Sequence, residues 1–521
     1  MRPLPLQGRR FAGCTDGGDD RRLRAADGRR LLEPMTGSGH LRLGIDLGTS
    51  AVKVAVLDGA GEICAAGEAS FPTLADLPGK AEQDPRHWLE ATAAAVTTAG
   101  SQLDRGWGAR IEGLGLAGQL PTLVMLGADG PLGLAITWSD ARADAWSART
   151  LDEEHRARLY RRTGMPIDGR YLAPMFGFHG LAIRASVRTI LSAKDYLCQV
   201  LTGRAVTDPS TAAGYGVYGL EGGWDPELCE IWNLDPALLP EVGLAASLAG
   251  SLQPTAARQL GLPGGLPVAV GAADSVAAAY GMGGLRQGVV SIVTGSSTVI
   301  IDSVKERQLD PLRRYLLTPH VRPGWFGREM DLLATGSGQR WLERLFGWGL
   351  GEMETRATSA TPGARGLYFA PYLAGGEQGA LWDPALCGVL HGLALHHSAE
   401  EIARAFLEGI QFEIRRCLEV LAETQPVERV VVAGHMAASV PALQMMADLL
   451  GRPVEPFTHH SPAALGAALL APVSSRDEDV IAVSQRLACV RPGPGSASYE
   501  SAYRAYLELF PCQARALARG R

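Results

Sequence analysis

Two glycine turns, each set between β-branched runs and lying 247 positions apart at Gly48 and Gly295, restrict this chain more than any other feature. At the first, residues 41–46 and 52–57 read as strands around Leu47-Gly48-Thr49-Ser50. Asp58-Gly59 is a hairpin signal that leads to a third strand at 62–69. At the second, residues 288–293 and 298–302 flank Thr294-Gly295-Ser296-Ser297. One strand-turn-strand unit repeated at domain-sized separation predicts two similar lobes. The rest of the chain alternates short β-branched runs with Ala-rich stretches, the pattern of an α/β fold. A helix is expected at 85–98, strands at 111–117, 122–126 and 266–271, and a lobe boundary near Gly281, Gly283 and Gly284. Beyond it, a strand at 429–433, helices at 441–450 and 461–470, and a closing helix at 498–517, with Tyr499, Tyr503 and Tyr506 partly on one face, complete the second lobe.

A carboxylate at a strand end, followed by a Gly-Thr-Ser turn, offers what a phosphate site needs. Backbone N–H groups and hydroxyls face the anion, and the acid holds Mg²⁺ through water. Asp46, Gly48, Thr49 and Ser50 fit that description, and Lys53 adds a positive charge near the phosphates. Such a turn alone is more often a plain hairpin. Its recurrence as Gly295-Ser296-Ser297 favours two lobes that clamp a nucleotide between them.

Composition narrows the function classes. The net charge is −6 and no apolar run reaches the roughly 18 residues that span a bilayer, so neither nucleic acid nor membrane is an expected partner. The eight cysteines are scattered without a C-x-x-C pair, which points to reduced thiols and a cytoplasmic protein. His396-His397 and His459-His460 lack metal-ligand spacing and read as loop histidines. Residues 1–40 carry eight arginines and little apolar content, which predicts disorder. They lack the apolar segment of a secretory signal. A transit peptide, which Asp16, Asp19 and Asp20 count against, and a start at Met35 are the two readings of this stretch.

From about residue 41 to about 510, the chain resembles the FGGY family of carbohydrate kinases. Residues 43–58 (LGIDLGTSAVKVAVLD) are similar to the family's first phosphate motif. AEQDP with Trp88 resembles an E-Q-D-P-x-x-W segment, and Trp138, Asp140 and Arg142 match W-x-D-x-R. Pro371-Tyr372-Leu373, Gly376-Glu377 and Trp382-Asp383-Pro384 follow another family pattern. Residues 388–408 nearly complete the C-terminal signature, with Phe406 an oversized substitute. The resemblance implies two actin-like (ribonuclease H-like) lobes around a central cleft, the sugar and phosphate side at 41–284 and the nucleotide side at 285–521. It implies a xylulokinase-like enzyme that moves the γ-phosphate of ATP to a small sugar or polyol with Mg²⁺, and it allows a homodimer.

The same resemblance implies roles for particular residues. Asp274, in GAADSVAAAYG, takes the position of the family's general base, although an Asp ahead of an Ala-rich stretch is also a common helix cap. Gln119, Trp138, Asp140 and Asp274 are the sugar-facing candidates, and Asp46 is the metal candidate. Gly48, Thr49, Ser50, Lys53, Gly295, Ser296, Gly336, Gly434 and Ser439 are assigned to ATP. Three departures stand out. Gly434-His435-Met436-Ala437-Ala438-Ser439 replaces a glycine run and is expected to crowd or reshape the adenosine side, with His435 either stacking on adenine or a tolerated loop variation. Leu120-Pro121 stands where xylulokinases carry a Met-His pair, which predicts weak recognition of D-xylulose. Gln378 replaces an arginine, and the region of Pro174 to His179 lacks a lysine and a tryptophan. The alternative reading is a catalytically weakened family member that binds a sugar or nucleotide as a regulatory protein.

Overall fold

The computed structural model describes residues 39–179, 183–374, 379–383, 386–459, 461–473 and 489–518, with side chains to 510. The expectation of disorder at the N-terminus therefore falls, except for residues 39 and 40, outside the described residues. So do Gly376, Glu377, Gln378, Pro384 and His460.

Two mixed sheets repeat one topology. In the first, Leu41–Leu47 pairs antiparallel with Ala51–Leu57 through the Gly48 turn and parallel with Ile111–Gly118. Ile63–Ser70 continues the meander at one edge, while Pro267–Ala269 and Leu248–Ser251 extend the other. In the second, Val289–Thr294 pairs antiparallel with Thr298–Val304 through the Gly295 turn and parallel with Arg429–Gly434. Phe326–Leu332, Leu316–Pro319 and Glu455–Pro456 complete it. The central strands Leu41–Leu47 and Val289–Thr294 are buried almost throughout, as expected of strands covered on both faces.

Two small-residue helices lie between the sheets. Pro462–Leu470 rests on the first sheet so closely that a Cβ at Gly44 would meet the Ala464 carbonyl at 1.9 Å, and one at Gly115 the Ala467 carbonyl at 1.7 Å. Asp274–Gly281 crosses it, and a Cβ at Gly466 would lie 1.8 Å from the Ala277 carbonyl oxygen. Glycine and alanine are thus required here by backbone approach. Sequence position puts the later helix with the second lobe; its packing is against the first sheet.

The strand expected at 266–271 is divided. One short strand is Pro267–Ala269; Gly271, at φ +86°, follows it, and Ala272–Ala273 forms another beside Ile111–Gly118 before the helix begins. In the second lobe the long helix Ala399–Ala422 opens on a capping box of Ser398 and Glu401, and Ser496–Ala518 packs along it. Tyr499, Tyr503 and Tyr506 are all buried, with Tyr506 against Phe412 at 5.0 Å between ring centroids. Phe406 fills space made by Gly338, whose Cβ would meet its ring at 2.4 Å.

Candidate active site

Asp274 is the first residue of its helix, and Ala273 is the N-cap, so the acid does not cap the helix in the way an Asp before such a stretch commonly does. Its Oδ1 accepts the Ser275 amide at 2.9 Å. The approach to it is fixed by buried polar groups. The Ala273 amide donates to Ser210 Oγ at 3.0 Å, and the Ser210 amide donates to Asp208 at 2.9 Å. Asp208 faces the fully buried Lys194 at 3.3 Å, and Lys194 also pairs with Asp195 at 2.8 Å and donates to the Val270 carbonyl at 2.9 Å. Gly271 supplies the turn, because a Cβ there would strike the Leu116 carbonyl at 2.2 Å.

Asp274 lines a cavity of about 140 Å³ between the lobes. Thr49, Leu120, Pro121 and Trp138 form walls from the first lobe, and Ser297, Glu329 and Asp331 close it from the second. Burial lifts the Asp274 carboxyl up to about 8, with the nearby Asp46 adding repulsion. Burial also lifts Asp46 to about 6, against the opposing effects of Lys53 and a hydrogen bond from Ser461 Oγ at 3.1 Å. Lys53 stands directly across from Asp46 in the strand pair. The other Asp46 oxygen, Oδ1, is buried with no hydrogen-bond partner.

The first turn is braced from the side of Trp138. The Gly48 amide donates to the Ala51 carbonyl at 3.1 Å, and Trp138 Nε1 donates to Thr49 Oγ1 at 3.1 Å. That leaves the Thr49 hydroxyl hydrogen free to donate elsewhere. Ser50 is exposed on the same turn. Gln83 Nε2 donates to the Thr49 carbonyl at 2.7 Å, and Gln83 Oε1 accepts both Trp88 Nε1 at 3.1 Å and Gln119 Nε2 at 2.9 Å. Gln119 is therefore turned beneath the Thr49 turn and is not among the residues that line the cavity. Asp140 is also diverted. It accepts the Ala81 amide at 2.9 Å and the Arg142 amide and Nε at 3.0 Å. Although burial opposes it, these bonds hold Asp140 below the usual carboxylate range. Both residues were expected to face the sugar; the described bonds of each hold neighbouring groups in place, and Gln119 Oε1 is buried without a partner.

The second turn is built in a matching way. The Gly295 amide donates to the Ser297 carbonyl at 2.8 Å, and the Ser296 carbonyl accepts Ser337 N and Oγ, each at 3.0 Å. Arg340 donates to Ser296 Oγ at 2.9 Å and brings a cation to this turn. Gly336 must lack a side chain, since a Cβ would meet the Gly295 carbonyl at 2.2 Å. Gly434, at φ +88°, lies against the Thr294 carbonyl in the same way at 1.9 Å. Of the two residues expected to crowd the adenosine side, Met436 is buried in the core and does not reach it. His435 is exposed, with Nδ1 3.2 Å from the Thr294 carbonyl. Ser439 caps the helix Val440–Leu450, accepting the Ala442 amide at 3.3 Å, and its hydroxyl donates to Glu354.

Sequence reasoning did not single out Glu329, Asp331, Arg170, Ser210 or Arg340. The available signal was the Glu-Met-Asp alternation at 329–331, which sets two acids on one face of a strand. Among the described residues, no group of three or more His, Cys, Asp or Glu is arranged to hold a metal by itself, and no helix is long and apolar enough to cross a membrane.

The chain was compared with known proteins. Residues 41–281 match the N-terminal domain, and residues 290–475 the C-terminal domain, of the FGGY family of carbohydrate kinases. A xylulose kinase of Lactococcus lactis subsp. lactis is 28% identical over 437 residues, covering 82% of this chain and 87% of that protein. A glycerol kinase of Gloeobacter violaceus is 31% identical over 452 residues, covering 82% and 87%. The crystal structure of a gluconate kinase from Lactobacillus acidophilus superposes with a TM-score of 0.82 at 23% identity, covering 93% of this chain and all of that one, a likeness of fold.

Proposed function

The chain belongs to the FGGY family of carbohydrate kinases, and on that premise we propose a mechanism in which Asp274 is the general base of an ATP-dependent phosphorylation of a small sugar or polyol. The observation that carries it is the position of Asp274. A buried carboxyl with a raised pKa forms the floor of a cavity enclosed by both lobes, one wall of which is the phosphate turn at Thr49. The acceptor hydroxyl gives its proton to the ionised Asp274 carboxylate as its oxygen bonds to the γ-phosphorus, so the carboxyl must first release the proton that burial favours. The bond from that phosphorus to the departing oxygen breaks, leaving the sugar phosphate and ADP.

Phosphoryl transfer asks mostly for positioning and charge neutralisation, and a placed base adds roughly 10²- to 10⁴-fold. Thr49, Ser50, Gly48, Gly295 and Ser296 would cradle the β- and γ-phosphates, with Lys53 and Arg340 supplying positive charge. Gly336 and Gly434 would lie toward the adenosine end, with Ser439 framing that loop as a helix cap. Asp46 suits Mg²⁺, because its Oδ1 is a buried acceptor without a partner while Oδ2 is held by Ser461. When bound, the ion neutralises phosphate charge; with a single acid in place, the phosphates themselves would complete its ligand set. Trp138 supports the sugar wall and the Thr49 turn together. Lobe closure over the cavity excludes water, which would otherwise take the phosphoryl group.

The regulatory alternative is not favoured: both phosphate turns and the acid between them are intact. A coupled ADP-release assay of the purified protein against ketoses, polyols and sugar acids tests the reading. Sugar-dependent ADP release is expected, and nucleotide binding without turnover on any acceptor would favour a regulatory protein.

A further inference from the structure

We propose that Glu329 and Asp331 set the substrate class, admitting an uncharged polyol or ketose to the cavity and turning away the corresponding sugar acid. The inference rests on the reading that the acceptor occupies the cavity at Asp274. Both acids lie on the strand Phe326–Leu332 two positions apart, so they share the face that looks across the cleft to the first lobe. Ser275 Oγ donates to Glu329 Oε2 at 3.1 Å, which ties this second-lobe carboxyl to the residue next to the base. Asp331 Oδ1 is buried and has no hydrogen-bond partner, an acceptor available to a substrate hydroxyl.

The charge around the cavity decides the sign. Asp274, Glu329 and Asp331 all line it. Arg170 is the one cation among the described lining residues, and it is already engaged. Its Nε meets the two Asp168 oxygens at 3.2 and 3.0 Å and its Nη2 bonds Asp168 as well. A substrate carboxylate would therefore enter a site with an excess of acids, whose one lining cation already has an acidic partner in Asp168. Burial, and for Glu329 repulsion from Asp331 and Asp274, already push these groups upward: Asp331 to about 7 and Glu329 well above its ordinary range. An ionised acid repels a further anion, and a protonated one offers it a hydrogen bond but no countercharge, so a carboxylate gives up its hydration uncompensated in either state. A hydroxyl instead donates to an ionised acid and accepts from a protonated one, so an uncharged polyol is served in either state.

Matched acceptors that differ only at one end isolate this effect: D-glucitol against D-gluconate, and xylitol against D-xylonate. Steady-state kcat/KM and calorimetric titration are run on the full-length protein for each pair. The polyol is expected to exceed its acid by roughly 10²-fold or more, since a carboxylate buried without a countercharge is strongly disfavoured. Glu329→Gln and Asp331→Asn keep the shape of each side chain and remove its ability to ionise, so each variant narrows that ratio by about 10-fold or more at alkaline pH, where the wild-type acids lose their protons. A purely structural role would lower both members of a pair together and leave the ratio fixed. An acid used or bound as well as its polyol by the wild type, binding of neither, or an unchanged ratio in both variants would overturn the inference. Preferential binding of the polyol without any phosphorylation would uphold it and count instead against Asp274-dependent transfer.

Discussion

At Asp274, function and stability pull in opposite directions. A carboxyl raised from 3.8 to about 8 is held protonated by the fold over a range in which the unfolded chain releases the proton. The unfolded state then binds fewer protons, so this group costs stability progressively as pH rises from about 4 to about 8, and the cost levels off above that. Asp274→Asn, which cannot ionise, should raise the melting temperature of the ligand-free protein, with a gain near zero at pH 4 that grows toward pH 8. Melting curves across that range check it, and a gain that shrinks with rising pH would contradict it. The sugar wall carries a second residue-scale prediction. Leu120 and Pro121 line the cavity and offer no side-chain hydrogen-bonding atom. D-xylulose should therefore show a kcat/KM at least about 10-fold below the best acceptor, the scale of losing one polar contact. Kinetics across the acceptor panel decide it, and equal efficiency would show that other groups recognise the ketose. Asp274 was legible from its glycine-led strand end. Glu329, Asp331 and Arg170 were not, because their meaning comes from a face shared across 160 residues of sequence.

Among the elements, the two central helices hold the lobes in register through contact of backbone with backbone. Gly466 is their tightest point, since its Cβ would lie 1.8 Å from the Ala277 carbonyl oxygen. Gly466→Ala must push the helices apart, and overpacking of this kind costs about 1–3 kcal/mol or more. Chemical denaturation should register that loss, together with reduced turnover, because Asp274 begins one of the two helices. An unchanged midpoint would mean the crossing is looser than described. The strand-turn-strand units could be read from alternating β-branched runs and their turn chemistry. Composition also marked 461–470 as a small-residue helix. What it packs against could not be read, since close approach needs glycine or alanine whichever sheet lies beneath. The bracing bonds of Gln119 and Asp140 could not be read for a related reason: a polar residue beside a site is equally useful for holding a ligand and for bracing a turn, and only the folded structure shows the partners.

For the whole molecule, the repeat at Gly48 and Gly295 is the feature from which the rest follows. Two sheets of one topology present two turns to a shared cleft, and the cavity has walls from both. The proposed transfer calls for the lobes to close. Small-angle scattering should show a smaller radius of gyration when acceptor and a non-hydrolysable ATP analogue are both present than with either alone, and an unchanged radius would argue against closure. The central claim is that Asp274 removes the proton while the turns hold the nucleotide. Turnover and ATP-analogue affinity of Asp274→Asn, measured on one preparation beside the wild type, test it most directly. The account predicts that kcat falls by roughly 10²-fold or more while nucleotide affinity changes little; a variant that turns over at the wild-type rate would remove Asp274 from the mechanism.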